Sequence, residues 1–181
     1  LVHSAKNRLL TSTQELGRKL LSVRQEVVRD LQTTAGHPLA LQVLSSNDAT
    51  AREQLATSLR LIMETHPAYE QIRLISADNH GLELIRFDRK NHMIYRLPND
   101  ELQEKGHYSY VSEALKLPGR AAYMSRISGR QEPAVDASWG KPSMHLAMPV
   151  VSTQGIPIGV VVITLDINHT FSTLVEDLPR E

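Results

Sequence analysis

Arg86 and three tyrosines are the residues of this 181-residue chain whose types and positions could bind a small molecule. Arg86 follows two leucines at alternate positions, so in a strand it shares the face of those apolar side chains. An arginine on such a face must extend to solvent, form an ion pair or bind a ligand. Tyr108, Tyr110 and Tyr123 lie further along the chain. Aromatic rings near an arginine are typical of a ligand pocket, but tyrosines are also ordinary core residues, so both interpretations stay open.

The sequence lacks patterns of catalysis and metal binding. It contains no Gly-rich phosphate loop, no G-x-S-x-G and no H-E-x-x-H motif. Because there is no cysteine, thiol nucleophiles, thiolate zinc sites and iron–sulfur clusters are excluded. The eight histidines show no metal-ligand spacing. These absences predict a non-enzymatic domain with no catalytic residues, no metal and no cofactor.

The charge balance argues against nucleic acid as a partner. Twenty basic and twenty acidic residues cancel, so no global field favours nucleic acid or an anionic membrane. The longest strongly apolar stretch, residues 156–167, is far shorter than the roughly 20 residues of a membrane helix. The chain begins without Met inside a helical pattern, which indicates a fragment of a longer protein.

Helical periodicity dominates the first third of the chain. Apolar residues from Leu9 to Leu31 recur at steps of three, four and seven, which predicts one amphipathic helix from about Lys6 to Leu31. A short apolar run at 39–44 follows. Polar residues 45–48 supply cap residues for a further helix, which Pro67 ends.

A different period follows from residue 71. Residues 71–76 alternate polar and apolar side chains, a turn follows at 77–81, and residues 82–87 form the return strand of a hairpin. The later segments predict, in order, an extended piece at 93–97, a short helix at 107–116, a strand at 122–125, an irregular loop at 129–141, strands at 144–151 and 158–165, and a helix at 168–178.

These elements predict an α+β fold with a PAS-like central antiparallel sheet of about five strands, a long N-terminal helix and flanking helices. Strands joined by short turns favour an antiparallel sheet, because a doubly wound sheet needs a helix between successive strands. We divide the chain into a helical arm (1–46), a sensor domain (47–167) and a C-terminal connector helix (168–181).

An ordered series of motifs resembles the Cache (PDC) sensor-domain family. The segment YEQIRLI at 69–75, followed by G-L-E at 81–83 and by Arg86, resembles the first block of that family. The segments YVSEAL at 110–115 and YMS at 123–125 resemble its middle block. The segments MPV at 148–150 and GVVV at 159–162 resemble its closing pair of strands. Tyr108 and Val111 depart from the pattern, where the family often has Arg and Phe.

The resemblance implies an extracytoplasmic sensor module of a bacterial membrane-bound receptor, such as a histidine kinase, a diguanylate cyclase or a chemoreceptor. It implies a periplasmic location and an anchor in the inner membrane. The apolar stripe of the N-terminal helix is longer than one domain needs, which predicts that part of it packs on a second copy of the chain in a homodimer. The ligand would be a small molecule on the sheet face covered by the middle loop and short helix. The candidate lining is Arg86, Tyr108, Tyr110, Tyr123, Ser125 and His145.

Within that site, each residue type has a distinct role. Arg86 would supply a fixed positive fork suited to a carboxylate or another anion. The tyrosines would supply apolar walls that end in a hydroxyl, and Ser125 or His145 a further hydrogen bond. The alternative is a module of the same kind of receptor that dimerises or contacts a partner protein and binds no small molecule.

Overall fold

The computed structural model describes residues 1–129, 132 and 140–178. The described helices are α1 (Val2–Ala35), α2 (Pro38–Ser46), α3 (Ala49–Thr65), α4 (Ser109–Ser112) and α5 (Ile167–Glu176). The described strands are β1 (Tyr69–Ser76), β2 (Glu83–Lys90), β3 (Met93–Arg96), β4 (Tyr123–Met124), β5 (Ser128–Gly129), β6 (Pro142–Val151) and β7 (Pro157–Asp166). Single 3₁₀ turns lie at Asn99–Glu101 and Ala114–Lys116.

All strands belong to one antiparallel sheet in the order β3-β2-β1-β7-β6-β4, and β5 also pairs with β6. The predicted α+β fold is therefore confirmed. The sheet has seven strands rather than about five, because β4 and β5 are two-residue strands. Most of the segment predicted as an irregular loop, 129–141, lies outside the described residues, as do the last three residues of the predicted connector.

The first three helices cover one face of the sheet. Asp48 begins α3 by accepting a hydrogen bond from the amide of Ala51 at 2.9 Å, as the cap residues predict. Pro38 is the first residue of α2, where its missing N–H costs nothing. The apolar run at 39–44 is thus helical. The core on this side contains Leu31 of α1 and Leu59 of α3, packed against strand residues.

Helix α1 is longer than predicted, and only its C-terminal part is buried in this chain. Its buried residues are Val27, Leu31 and Thr34. Toward the N-terminus, Leu9 is 70% exposed and Leu10 is 58% exposed. The helix therefore extends beyond the surface that the sheet offers it.

The other face of the sheet is covered more thinly. Helix α4 and the 3₁₀ turn after it place Tyr110, Val111 and Ala114 against strand residues such as Val160 and Val162. The whole of β1 is buried, whereas its alternating sequence predicts a strand buried on one face. Polar residues of β1 are consequently enclosed between the sheet and this second cover, where they need partners.

Candidate functional site

A register shift in the first hairpin determines which side chains of β2 face the second cover. Leu74 pairs with Ile85, but the next residue of β1, Ile75, pairs with Glu83. One residue of β2, Leu84, is therefore extra at this point, as in a β-bulge. A bulge inverts the alternation of side chains along its strand.

The expectation that Arg86 shares a face with the two preceding leucines is therefore wrong. Leu84 packs with Ile85 and Phe87 in the core on the helix side. Arg86 instead shares its face with Glu83 and Asp88. The extra residue reverses the alternation of side chains between positions 83 and 86, so an odd and an even position face the same side.

Six buried charged side chains form what we call the charged cluster. Its members are Arg73, Glu83, Arg86, Asp88, Lys105 and Glu132. Among the described residues, the three cations and three carboxylates of this cluster thus balance in a buried region. Burying charges is tolerated only where they are paired and hydrogen-bonded, so the pairings of the cluster determine what each residue can do.

Arg86 is held by the two carboxylates of its own strand. Its Nε and Nη2 donate to Oδ1 and Oδ2 of Asp88, both at 2.9 Å. Its Nη1 lies 3.4 Å from both carboxylate oxygens of Glu83. Burial alone would lower the pKa of Arg86, but Asp88 and Glu83 outweigh it and raise that pKa. Because of this bidentate geometry, Arg86 and Asp88 form a structural ion pair within the strand.

Arg73 joins the sheet to the second cover. Its guanidinium is fully buried, and Nη1 donates to the hydroxyl of Tyr110 at 2.8 Å and to Oε2 of Glu132 at 3.2 Å. The guanidinium carbon also lies 4.7 Å from the centre of the Tyr110 ring, within the range of a cation–π contact. Glu83 contributes a carboxylate oxygen at 3.5 Å.

Lys105 is placed in the cluster by the turn between β1 and β2. Its amide donates to the carbonyl of Gly81 at 2.7 Å. A Cβ at Gly81 would lie 2.4 Å from the nitrogen of Gly106, and Gly81 has φ +72°, so glycine is required at this contact. The ammonium of Lys105 then reaches Oε2 of Glu132 at 3.1 Å.

Glu132 accepts hydrogen bonds from Arg73 and Tyr110, pairs with the ammonium of Lys105 and remains ionised. Burial alone would raise the pKa of its carboxyl. Arg73 and Lys105, the Tyr110 hydroxyl and His145 together outweigh burial and lower the pKa to about 2. For Tyr110, burial is the main cause that raises the pKa, so its hydroxyl keeps its proton and donates to Glu132 at 2.8 Å.

A cavity of about 390 Å³ lies beside the charged cluster. Five of the six candidate residues line it: Tyr108, Tyr110, Tyr123, Ser125 and His145. Arg86 is absent from its described lining. The volume falls within the usual range of small-molecule pockets, and Glu132, Gln71 and Ser143 also line it.

Hydrogen bonds fix the wall that β4 and β6 form. The amide of Ser125 donates to the carbonyl of His145 at 2.9 Å, and the amide of His145 donates to Oγ of Ser125 at 2.9 Å. Nδ1 of His145 lies 2.8 Å from Oγ1 of Thr164 on β7. The rings of Tyr108 and Tyr110 stack at 5.5 Å, so the opposite wall is equally ordered.

Sequence reasoning missed Arg73, Lys105 and Glu132. A signal for Arg73 existed, because it lies on the first strand of the predicted hairpin, and the structure pairs it with Arg86 on the second. Nothing local marks Lys105 or Glu132, which lie in polar segments. Among the described residues, no group of three or more His, Asp or Glu could hold a metal ion.

No protein-family model matches the chain, and no curated protein matches it significantly in sequence. Solved structures do match. The extracellular domain of a protein assigned as the histidine kinase vpHK1S-Z8 has a TM-score of 0.79 at 18% identity over 96% of this chain and 63% of that one. A domain assigned to a sensory box/GGDEF family protein of Vibrio parahaemolyticus has a TM-score of 0.80 at 18% identity over 96% and 64%.

The sensory domain of the Campylobacter jejuni chemoreceptor Tlp3 has a TM-score of 0.62 at 15% identity over 97% of this chain and 66% of that one. The chain thus spans less than two thirds of the length of these structures. They show that its fold is the fold of extracellular sensor domains, which confirms the Cache-type resemblance at the level of fold. None of the described helices is both long and apolar enough to cross a membrane.

We expect Arg86→Leu to destabilise the protein by about 3–5 kcal/mol, because Asp88 would stay buried without the cation that it pairs with, and Glu83 would lose one of its two. The matched control is Arg96→Leu, whose pair with the exposed Glu53 is partly open to solvent and should contribute about 1 kcal/mol or less. Urea unfolding of the three proteins measures both effects. Equal losses in the two variants would contradict the structural role of Arg86.

The low pKa of Glu132 predicts acid sensitivity. A carboxyl whose folded pKa is about 2 and whose ordinary value is 4.5 stabilises the fold above pH 4.5, and this contribution falls as pH drops from 4.5 toward 2. The loss should reach roughly 2–3 kcal/mol. Urea unfolding between pH 6 and pH 2.5 should show a shallower decline for Glu132→Gln, whereas the exposed Glu113→Gln should keep the wild-type slope. A wild-type slope in Glu132→Gln would contradict this prediction.

Proposed function

We propose that this chain is a ligand-binding sensor module of a transmembrane signalling receptor and has no catalytic activity of its own. The observation that carries the proposal is the cavity of about 390 Å³ on the sheet face opposite the long helix. The fold shared with extracellular sensor domains of histidine kinases and chemoreceptors supports it. A related domain, that of Tlp3, was solved in complex with L-valine.

The position of β6 supports a route from ligand to helices. His145 points toward the cavity, whereas its neighbours Met144 and Leu146 line an apolar groove on the opposite face. Leu20 of α1 and Phe171 of α5 line the same groove. A ligand that moves β6 would therefore act on both terminal helices, because β6 packs directly against them. Packed elements of this kind shift as rigid units.

The same proposal places the module outside the cytoplasm, on the periplasmic side of an inner membrane, with the rest of the receptor reached through α1 and α5. It keeps the division into a helical arm (1–46), a sensor domain (47–167) and a connector (168–181). The fold of the similar extracellular domains supports this placement.

We further propose that α1 forms a homodimer with a second copy of the chain. Leu9 and Leu10 near its N-terminus are exposed, as is Leu21, and an exposed apolar stripe on a helix is typical of an interface.

The cavity is tested by a ligand screen on the wild-type protein, with thermal shift followed by calorimetry. Tyr123→Ala should weaken a binding compound about 5- to 10-fold, because one aromatic contact contributes roughly 1 kcal/mol. The control is Tyr95→Ala, on β3 and outside the described lining of the cavity, which should bind as the wild type does. A compound that binds all three proteins equally would place its site elsewhere.

The interface is tested with the double variant Leu9→Lys and Leu10→Lys. Two buried lysines would cost several kcal/mol at an apolar interface, so the variant should be monomeric at concentrations where the wild type is dimeric. Sedimentation equilibrium measures this, with Leu61→Lys as the control, since Leu61 is an equally exposed leucine (62%) on α3. A wild-type protein that is monomeric throughout would refute the interface.

A further inference from the structure

Three donors converge on a single oxygen of Glu132. Oε2 lies 2.8 Å from the hydroxyl of Tyr110, 3.1 Å from Nζ of Lys105 and 3.2 Å from Nη1 of Arg73. The other oxygen, Oε1, lies 3.6 Å from Nε2 of His145. Two cations and a neutral hydroxyl around one carboxylate oxygen are what a binding site for a carboxylate requires.

Glu132 stands between the cavity and these cations. Glu132 belongs to the described lining of the cavity, whereas Arg73 and Lys105 do not and instead contact its carboxylate. Both cations are almost completely buried. The carboxylate of Glu132 therefore fills a position that contacts both cations and belongs to a residue lining the cavity.

We propose that Glu132 occupies the anion subsite of the cavity as a tethered carboxylate, and that the ligand is a small carboxylate that displaces it from Arg73, Lys105 and Tyr110. This inference rests on the proposed function, because it names the class of ligand for the same cavity.

The charge balance of the cluster determines that class. Without Glu132, the cluster contains three cations and two carboxylates, and Arg73 and Lys105 lose a shared partner. An unpaired buried charge costs several kcal/mol, so a neutral or cationic ligand cannot take this place. A second carboxylate beside Glu132 is equally unfavourable, because two buried like charges repel. Exchange of one carboxylate for another keeps the balance.

Arg73 also retains donor capacity for a ligand. Within the described residues, its buried Nε has no hydrogen-bond partner, and its Nη2 reaches Oγ1 of Thr164 only at 3.5 Å. Glu132 uses mainly one oxygen toward this guanidinium. A ligand whose carboxylate is not tethered to the chain can turn both oxygens toward Arg73, in the bidentate geometry that arginine favours.

Tethering has a measurable consequence. A side chain attached to the same protein competes at a high effective concentration, of the order of mM or above. The wild-type protein should therefore bind a simple carboxylate weakly, and removal of the Glu132 carboxylate should increase that affinity.

The probe is acetate, which has the size of the group deleted in Glu132→Ala. We expect Glu132→Ala to have a lower Tm than the wild type and to regain stability with sodium acetate at pH 7 and constant ionic strength. The apparent affinity for acetate should be at least 10-fold higher than in the wild type. Acetamide, a neutral molecule of the same shape, should have no such effect. The control is Glu113→Ala, which deletes an exposed carboxylate from a surface pair.

If Glu132→Ala does not fold, Glu132→Gln provides the same test. It retains the shape of the side chain and removes its charge, so acetate, measured by calorimetry, should again bind at least 10-fold more tightly than to the wild type. Acetate that binds Glu132→Ala or Glu132→Gln no better than it binds Glu113→Ala would overturn the inference. That result would leave the proposed function intact if a screened compound still binds the wild type and loses affinity with Tyr123→Ala.

Discussion

The ion pair between Arg73 and Glu132, with the Tyr110 hydroxyl bridging them, is the constraint on which the second face of the sheet depends. A guanidinium that is fully buried must be paired, and the partners of this one come from β2, from α4 and from residue 132. Each partner lies on a different part of the chain. Pairing Arg73 therefore fixes the short helix and Glu132 against the sheet, and so shapes the floor of the cavity.

Both faces of the sheet are covered, but the side chains that they bury differ in kind. On the helix side, aliphatic side chains of the strands pack against α1, α2 and α3 and supply the apolar burial that stabilises the domain. On the other side, the cover is small, and a small apolar cluster that includes Tyr110 lies beside buried charged side chains. Strand β6 belongs to both environments, since successive residues alternate between them. That alternation places a cavity residue and a helix contact next to each other along the chain.

The charged cluster contains two kinds of ion pair that differ in what they could exchange. Arg86 and Asp88 form a bidentate pair within one strand, where the backbone holds both partners at fixed separation. The pair of Arg73 and Glu132 joins segments that are 59 positions apart, and one of its partners lines a cavity. In the second pair, Glu132 lies outside the described strands, so its displacement would leave the strand pairing unchanged, which is why we place the recognition of a ligand there.

Much of the architecture follows from local sequence. The long helix, the hairpin of β1 and β2, the closing pair of β6 and β7, and the cap at Asp48 are encoded by periodicity, turn residues and capping, which act over a few positions. The sequence also predicts the aromatic residues of the cavity, because Tyr110 and Tyr123 lie in the ordered motifs and Tyr108 lies beside the first of them.

Tertiary structure decided what the charged residues do. Because Leu84 is an extra residue in β2, the side chains of Glu83 and Arg86 lie on the same face of the sheet. A register shift of this kind depends on the pairing of two strands rather than on either strand alone. Lys105 and Glu132 enter the cluster from polar segments whose local sequence specifies no position. Their convergence on one site depends on burial. Once Arg73 is enclosed between two layers, nearby carboxylates must balance its charge. Only the folded chain determines which carboxylates those are.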